Sequence, residues 1–189
     1  MALILFNKPF QVMSQFSAHA NRPTLADHIR VPGIYPAGRL DADSEGLLLL
    51  TDDGALQGRI SHPAHKARKT YLVQVEGLPS KEQLERLRLP IALGDFTTMP
   101  CQTTRVQTPD WLWPRQPPIR ERAAIATSWL SITLGEGKNR QVRRMTAHVG
   151  LPTLRLVRIA IGPFSLASHP LLPGEYCIVS PSLLDINAA

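Results

Sequence analysis

GRLDADSEGLLLLTDDG, residues 38–54, sets a polar turn carrying three acids, Asp41, Asp43 and Glu45, directly before four consecutive leucines. The run LLLLT at 47–51 is too short for a capped helix and has the length and apolarity of a central strand, with DDG at 52–54 as the turn after it. A buried strand pins the loop that precedes it, and a reacting carboxylate needs such stiff placement. Three readings of the acids stand side by side. Asp41, Asp43, Glu45 and Gly46 followed by Asp52 imitate a calcium-binding EF-hand loop, but neither flank reads as a helix and the last acid is Asp where a bidentate Glu is needed. A solvated turn, capped by its own Asp and Ser side chains, is the ordinary fate of such a segment. The third reading is a catalytic carboxylate on a rigid mount.

Outward from this stretch, ALILF at 2–6 reads as a buried strand that ends in a loop at Asn7, Lys8 and Pro9, and Pro23 opens a short helical stretch through Ile29. KTYLVQVEG at 69–77 alternates Tyr71, Val73 and Val75 against Leu72, Gln74 and Glu76, the period of a strand. Ser80 with Gln83 makes a capping box for a helix to about Arg88. Residues 97–108 and SWLSITL at 128–134 read as strands, and WLWPRQPPIRER at 111–122, dense in Pro and Arg, reads as an exposed loop insertion. Asn139 is placed to cap a helix that ends at His148 or Val149, with Gly150 as its stop and Pro152 beyond. On that helix Val142, Met145 and Val149 share one face, Arg140 and Arg144 lie off it, and Arg143 sits at its edge. Strands at 153–161 and 175–179 close the chain. Strands outnumber helices without regular alternation, so the expected class is α+β with a mixed, largely antiparallel sheet.

A chain of 189 residues, 43% hydrophobic and 19% charged, is apolar enough to bury a core and suits one domain or two fused subdomains. The net charge of +6 favours a polyanionic partner, because clustered Lys and Arg release counterions from phosphates. No run approaches the roughly 20 apolar residues of a membrane helix, and MALILFNKP has neither a basic leader nor a cleavage site, so the expected place is the cytoplasm. Cys101 and Cys177 read as buried thiols rather than a disulfide framework. His62 and His65, in HPAH, lack a third ligand nearby, and no metal is expected.

GRLDADSEGLLLLTDDG resembles the signature of the pseudouridine synthases, in the branch of RsuA-like and RluB-, RluE- and RluF-like ribosomal RNA enzymes. KTYLVQVEG at 69–77 is similar to the family's second motif, EGKNRQVRRM at 136–145 to its third, and NKPFQV at 7–12 to the short motif near the start of the catalytic domain. Within the branch, WLWP at 111–114, PPIRER at 117–122, TSWLSITL and RRMTAHVGLPTLRLVR look closest to a large-subunit synthase. The resemblance implies a pseudouridine synthase fold over 1–189 as a single catalytic domain. Some relatives carry a separate RNA-binding module ahead of it; here the motifs begin within the first ten residues, so none is expected.

The implied reaction isomerises a uridine of bacterial 23S ribosomal RNA, free or in a pre-ribosomal particle, without cofactor or metal. Asp41 would be the essential carboxylate, acting as a nucleophile on base or sugar or taking a sugar proton to give a glycal-like intermediate. Desolvation beside an uncharged base favours a neutral carboxyl, and the family pattern supplies a fixed cation, Arg143, to oppose that. The other reading of Arg143 is a phosphate contact. Tyr71 matches the family's active-site aromatic, against the alternative of simple core packing. The target must leave its stack to be reached. Lys8 and Arg39 are candidates to hold the displaced strand, or else plain surface charge. Arg115, Arg120 and Arg122 in the insertion, with Arg140 and Arg144, are candidates for phosphate contacts. No membrane or protein partner is evident, and a monomer is expected. A non-catalytic RNA-binding or ribosome-assembly protein, a metal-dependent hydrolase and a synthase of the same family acting on another RNA are the alternatives.

Overall fold

The computed structural model describes residues 2–61, 67–119 and 125–184. In chain order these hold β1 (Leu3–Lys8), β2 (Tyr35–Pro36), β3 (Glu45–Thr51), α1 (Gly54–Ser61), β4 (Lys69–Glu76), α2 (Lys81–Arg88), β5 (Gln102–Val106), β6 (Thr127–Leu134), α3 (Gln141–His148), β7 (Thr153–Ile161), β8 (Phe164–Ser165) and β9 (Tyr176–Val179), with short 3-10 turns at Leu25–Asp27 and Pro181–Leu184. The class is α+β, and the chain forms two compact units, one of Met1–Ala67 with Arg158–Ala189 and one of Arg68–Val157. Among the described residues no helix is long and apolar enough to cross a membrane.

In the first unit the order is β3-β1-β9, with β1 antiparallel to both β3 and β9. Ile4 lies opposite Leu50 and Phe6 opposite Leu48, so these side chains share one face and, with Leu25, Ile29 and Ile34, form a core. Leu47 and Leu49 face the other way and are equally buried. Four buried leucines contribute about 1.5–3 kcal/mol each, a sum comparable with the whole stability of a domain. Because leucine fills both faces, a one-residue slip would exchange like for like. The register is held instead at the start of the strand, where Gly46 lies against the Arg158 backbone and Arg158 Nε bonds Leu47 O.

The second unit runs β5-β6-β4, with β6 antiparallel to both β4 and β5. The capping box of α2 forms as expected: the Ser80 hydroxyl accepts from Gln83 N at 3.2 Å and Ser80 N donates to Gln83 Oε1 at 2.9 Å. Gln83 Nε2 then reaches the Val149 carbonyl at 2.7 Å, tying α2 to the end of α3, where Gly150 takes φ +78°. Buried Val142 and Met145 anchor α3.

Several local expectations are corrected. β1 continues through Asn7 and Lys8 instead of ending before them. DDG is not only a turn: Asp53 Oδ1 accepts from Ala55 N and Leu56 N at 2.8 and 3.0 Å and starts α1. Helix α3 has Arg140, in the left-handed region at φ 49°, at its N-cap in place of Asn139. No side chain caps that first turn; the Gln141 side chain instead ties the helix back to the preceding loop, accepting from Lys138 N at 3.0 Å. The strand expected over 97–108 is confined to Gln102–Val106, and both cysteines are half-buried.

Gly46 takes φ +104°, and a Cβ there would overlap the Arg158 backbone carbonyl, whereas Gly38, at φ +92°, has open space around it. Gly46→Ala is therefore expected to cost roughly 3 kcal/mol or more and Gly38→Ala only about 1 kcal/mol, read by urea denaturation. Equal losses would show that the close approach of Arg158 to Gly46 is not what requires glycine.

Candidate active site

The acidic turn is fastened to the first unit from two sides. On one side the segment after β1 holds its backbone: Gln11 N donates to the Ala42 carbonyl at 2.7 Å, and the Ser14 hydroxyl donates to Leu40 O at 2.7 Å while accepting from Leu40 N at 3.1 Å. On the other, the buried guanidinium of Arg158 donates through Nε to Leu47 O at 2.7 Å and, more weakly, through Nη1 to Arg39 O at 3.5 Å. One side chain thus spans both ends of the turn. Within it Ser44 N donates to Asp41 O at 3.0 Å, Asp41 and Asp43 are half-buried, and Glu45 is buried at the start of β3.

Lys8 is the position where the structure departs furthest from the sequence reading. It is fully buried, with its ammonium donating to Pro9 O at 2.9 Å and Val12 O at 2.8 Å, so it cannot hold an RNA strand at the surface, nor is it plain surface charge. Burial pushes its pKa down from 10.5 to about 7; the charge of Glu45 opposes that, Arg158 adds to it, and Asp43 and Asp41 oppose it more weakly. The arrangement makes Lys8 an internal brace. Its ammonium organises the 9–12 turn, and that turn carries the backbone donor that grips Ala42.

Buried Asn7 Oδ1, Ser44 Oγ and Arg158 Nη2 have no hydrogen-bond partner among the described residues. Neither Asn7 nor Arg158 is singled out by sequence reasoning. Arg158 lies in the strand expected over 153–161, where no local signal marks it, and its bonds to Leu47 O and Arg39 O give it a role. Arg39, two residues before Asp41, is exposed.

In the second unit Tyr71 is 7% exposed on β4, opposite Ile132 of β6. Arg143 is half-buried on α3. The helix is held at its start by Gln141, whose Nε2 donates to Glu136 Oε1 at 2.5 Å while that oxygen also accepts from Met99 N at 2.8 Å. Arg140 is exposed. Arg144 is engaged: it pairs with Asp95 at 2.5 Å, bonds Leu93 O and lies 4.8 Å over the Phe96 ring. That hydrogen bond holds the Asp95 carboxyl below the usual carboxylate range. Arg115 folds back onto its own loop, donating to Pro117 O at 2.8 Å and Pro118 O at 3.1 Å. Trp113 is buried, with its carbonyl bonded by Arg155, and leaves Trp111 as the exposed indole of the insertion. Arg120, Arg122, His62 and His65 lie outside the described residues.

The acids do not make an EF-hand, since Glu45 opens a strand and two buried cations face the turn. Among the described residues no group of three His, Cys, Asp or Glu side chains is placed to hold a metal ion. What the turn offers is a fixed carboxylate chemistry: an anionic oxygen that can add to an electrophilic carbon or accept a proton, on a backbone that does not yield.

Residues 2–148 match the family model of RNA pseudouridylate synthases, and the chain belongs to that family. Ribosomal large subunit pseudouridine synthase E of Vibrio vulnificus is 54% identical over 94% of this chain and 75% of its own. The protein of the same name from Xanthomonas campestris is 54% identical over 92% of this chain and 93% of its own. A crystal structure of a pseudouridylate synthase, 28% identical, superposes with a TM-score of 0.78 over 97% of this chain and 72% of that one.

The depressed pKa of Lys8 has a stability consequence with a definite sign. Between about 7 and 10.5 the unfolded chain binds the lysine proton and the folded one does not, so folding stability rises with pH across that window; below about 7 the buried ammonium's desolvation is borne in full. Wild type minus Lys8→Met should gain up to about 1.4 kcal/mol per pH unit between those limits in urea unfolding. A difference that is flat with pH would mean that the ammonium is not desolvated.

Proposed function

We propose that this enzyme converts one uridine of large-subunit ribosomal RNA into pseudouridine, with Asp41 as the essential carboxylate. The observation that carries the reading is a carboxylate turn, clamped by Arg158 and by the Lys8-braced segment, in a chain more than half identical to large-subunit synthases. In the reaction the C1′–N1 bond breaks, the base turns, and a C1′–C5 bond forms while N1 gains a proton and C5 loses one. No electrons are gained or lost, so no redox cofactor is needed. Asp41 either adds as a nucleophile or takes a sugar proton, and a rigid anion serves both routes.

The remaining roles follow the family resemblance. Tyr71 lies against the uracil and relays the C5 proton, Arg143 keeps the carboxylate charged, and Arg39 holds the strand from which the uridine has been turned out. The chain acts as a monomeric, single catalytic domain in the cytoplasm, on free ribosomal RNA or an assembling particle. Exposed Arg140 and the 111–122 insertion, with Arg115, Arg120 and Arg122, add phosphate contacts. Arg144, held by Asp95, joins them only if that pair opens.

Unmodified large-subunit transcript, incubated in chelator and mapped for pseudouridine, should acquire one site with wild type and none with Asp41→Asn. Tyr71→Phe should slow turnover by about 100-fold and Arg143→Lys by about 10-fold, the range for losing a proton relay or a bidentate cation. Conversion by Asp41→Asn would remove Asp41 from its role. Binding without conversion by wild type would favour an assembly protein, and chelator-sensitive strand cleavage a hydrolase.

A further inference from the structure

In the first unit, residues 14–17 and 29–36 wall an open cleft of about 690 Å³ that the acidic turn does not use. Buried Ile29 and Ile34 lie along it, half-buried Phe16 and Val31 line it above the core, and Tyr35 is 60% exposed there. Tyr35 is not a floppy surface residue. It sits on β2, paired with Thr51 of β3, so its ring is offered from a fixed backbone. Arg30 is the only charged residue of the lining, and it is exposed. The lining contains no carboxylate. The nearby Asp27 carboxylate already accepts from Thr24 N at 2.7 Å. Arg22 and Arg39 are exposed on the flanking segments.

We propose that this cleft is a stacking subsite for an unpaired nucleotide of the RNA substrate, distinct from the uridine that is isomerised. The chemistry of the lining selects that occupant. Flat apolar walls with an aromatic ring accept a nucleobase face whatever its sequence, and a lone guanidinium at the rim accepts the phosphate. The volume falls within the about 300–1,000 Å³ of small-ligand sites, enough for a nucleotide and too little for a duplex. The position fits as well. Ser14 lines the cleft and is the residue whose hydroxyl bonds both backbone groups of Leu40, next to Asp41, so the cleft and the acidic turn share a wall. A uridine turned out of its stack leaves a neighbour with one face bare, and a hydrophobic shelf beside the turn covers it. The proposal rests on the family's action on RNA and not on the role given to Asp41.

Binding of unmodified large-subunit transcript and turnover are measured for wild type, Tyr35→Ala, Tyr35→Trp and Arg30→Gln, with folding checked by urea melts. Tyr35→Ala should raise Kd and KM about 5- to 30-fold with kcat at saturating RNA within about twofold of wild type, the scale of losing one base stack. Tyr35→Trp should keep wild-type affinity, because a flat ring is all the subsite requires. Arg30→Gln should weaken binding and reduce the slope of log Kd against log salt by about 0.7–1. Unchanged Kd in Tyr35→Ala, or a Tyr35→Trp as damaged as the alanine variant, overturns the subsite and leaves the proposed reaction standing. A Tyr35→Ala that alters self-association but not RNA binding overturns it in favour of a contact between copies. Transcript that wild type neither binds nor converts removes both readings.

Discussion

A guanidinium inside the first unit holds the two ends of one turn, and the candidate chemistry depends on it. Arg158 reaches Leu47 O from a strand whose own backbone lies against Gly46, so the side-chain bond and the backbone approach fix the same short stretch of chain. Lys8 adds a second buried cation on the other side. Burying charge is seldom the cheapest way to gain stability, since apolar residues of similar volume often do as well or better. Leucines already supply the cohesion of β1 and β3. The two side chains are better understood as fixing position; for Lys8, backbone carbonyls and the nearby acids offset only part of the desolvation, as its lowered pKa shows.

The second unit fixes its candidate residues by a different means. Tyr71 belongs to a strand bonded along its length to β6, and its position follows from sheet register alone. Arg143 depends on α3, a helix of eight residues that would be marginal in isolation. It is secured at one end by Gln141 and Glu136 and at the other by Gln83, side chains bonded to backbone as well as to each other. Polar ties at both ends, with Val142 and Met145 between them, leave little freedom for the guanidinium's base.

Features written in local signals are legible in the sequence. Four leucines after a polar turn, the alternation around Tyr71, and Ser80 with Gln83 each specify their element within a few residues, and the structure has all three. The helix at 54–61 is hidden because Asp-Asp-Gly serves equally as a turn and as a cap, and the residues after it decide between the two. The αL conformation of Arg140 is hidden because no side-chain cap marks that helix start, and the Gln141 side chain ties back to Lys138 N outside the helix. Lys8 misleads for a deeper reason: NKP looks like a strand giving way to a loop, and only the remote Arg158, the acidic turn and the Val12 carbonyl turn that lysine inward. A charge's burial is a property of its tertiary neighbours, not of its own segment.

That lesson bears on how the net charge of +6 is to be understood. Lys8, Arg155 and Arg158 are buried and bonded to backbone oxygens, so these three positive charges are turned away from a polyanion. Exposed Arg22, Arg30 and Arg39 are among the cations on the surface of the first unit. Scattered exposed guanidiniums give modest, salt-sensitive attraction and little discrimination between one RNA and another. Selection of a single uridine must then come from shape: which bases stand unstacked, and which apolar surfaces are placed to receive them. In the first unit such a surface lies between Phe16 and Tyr35, sharing Ser14 with the turn that carries Asp41.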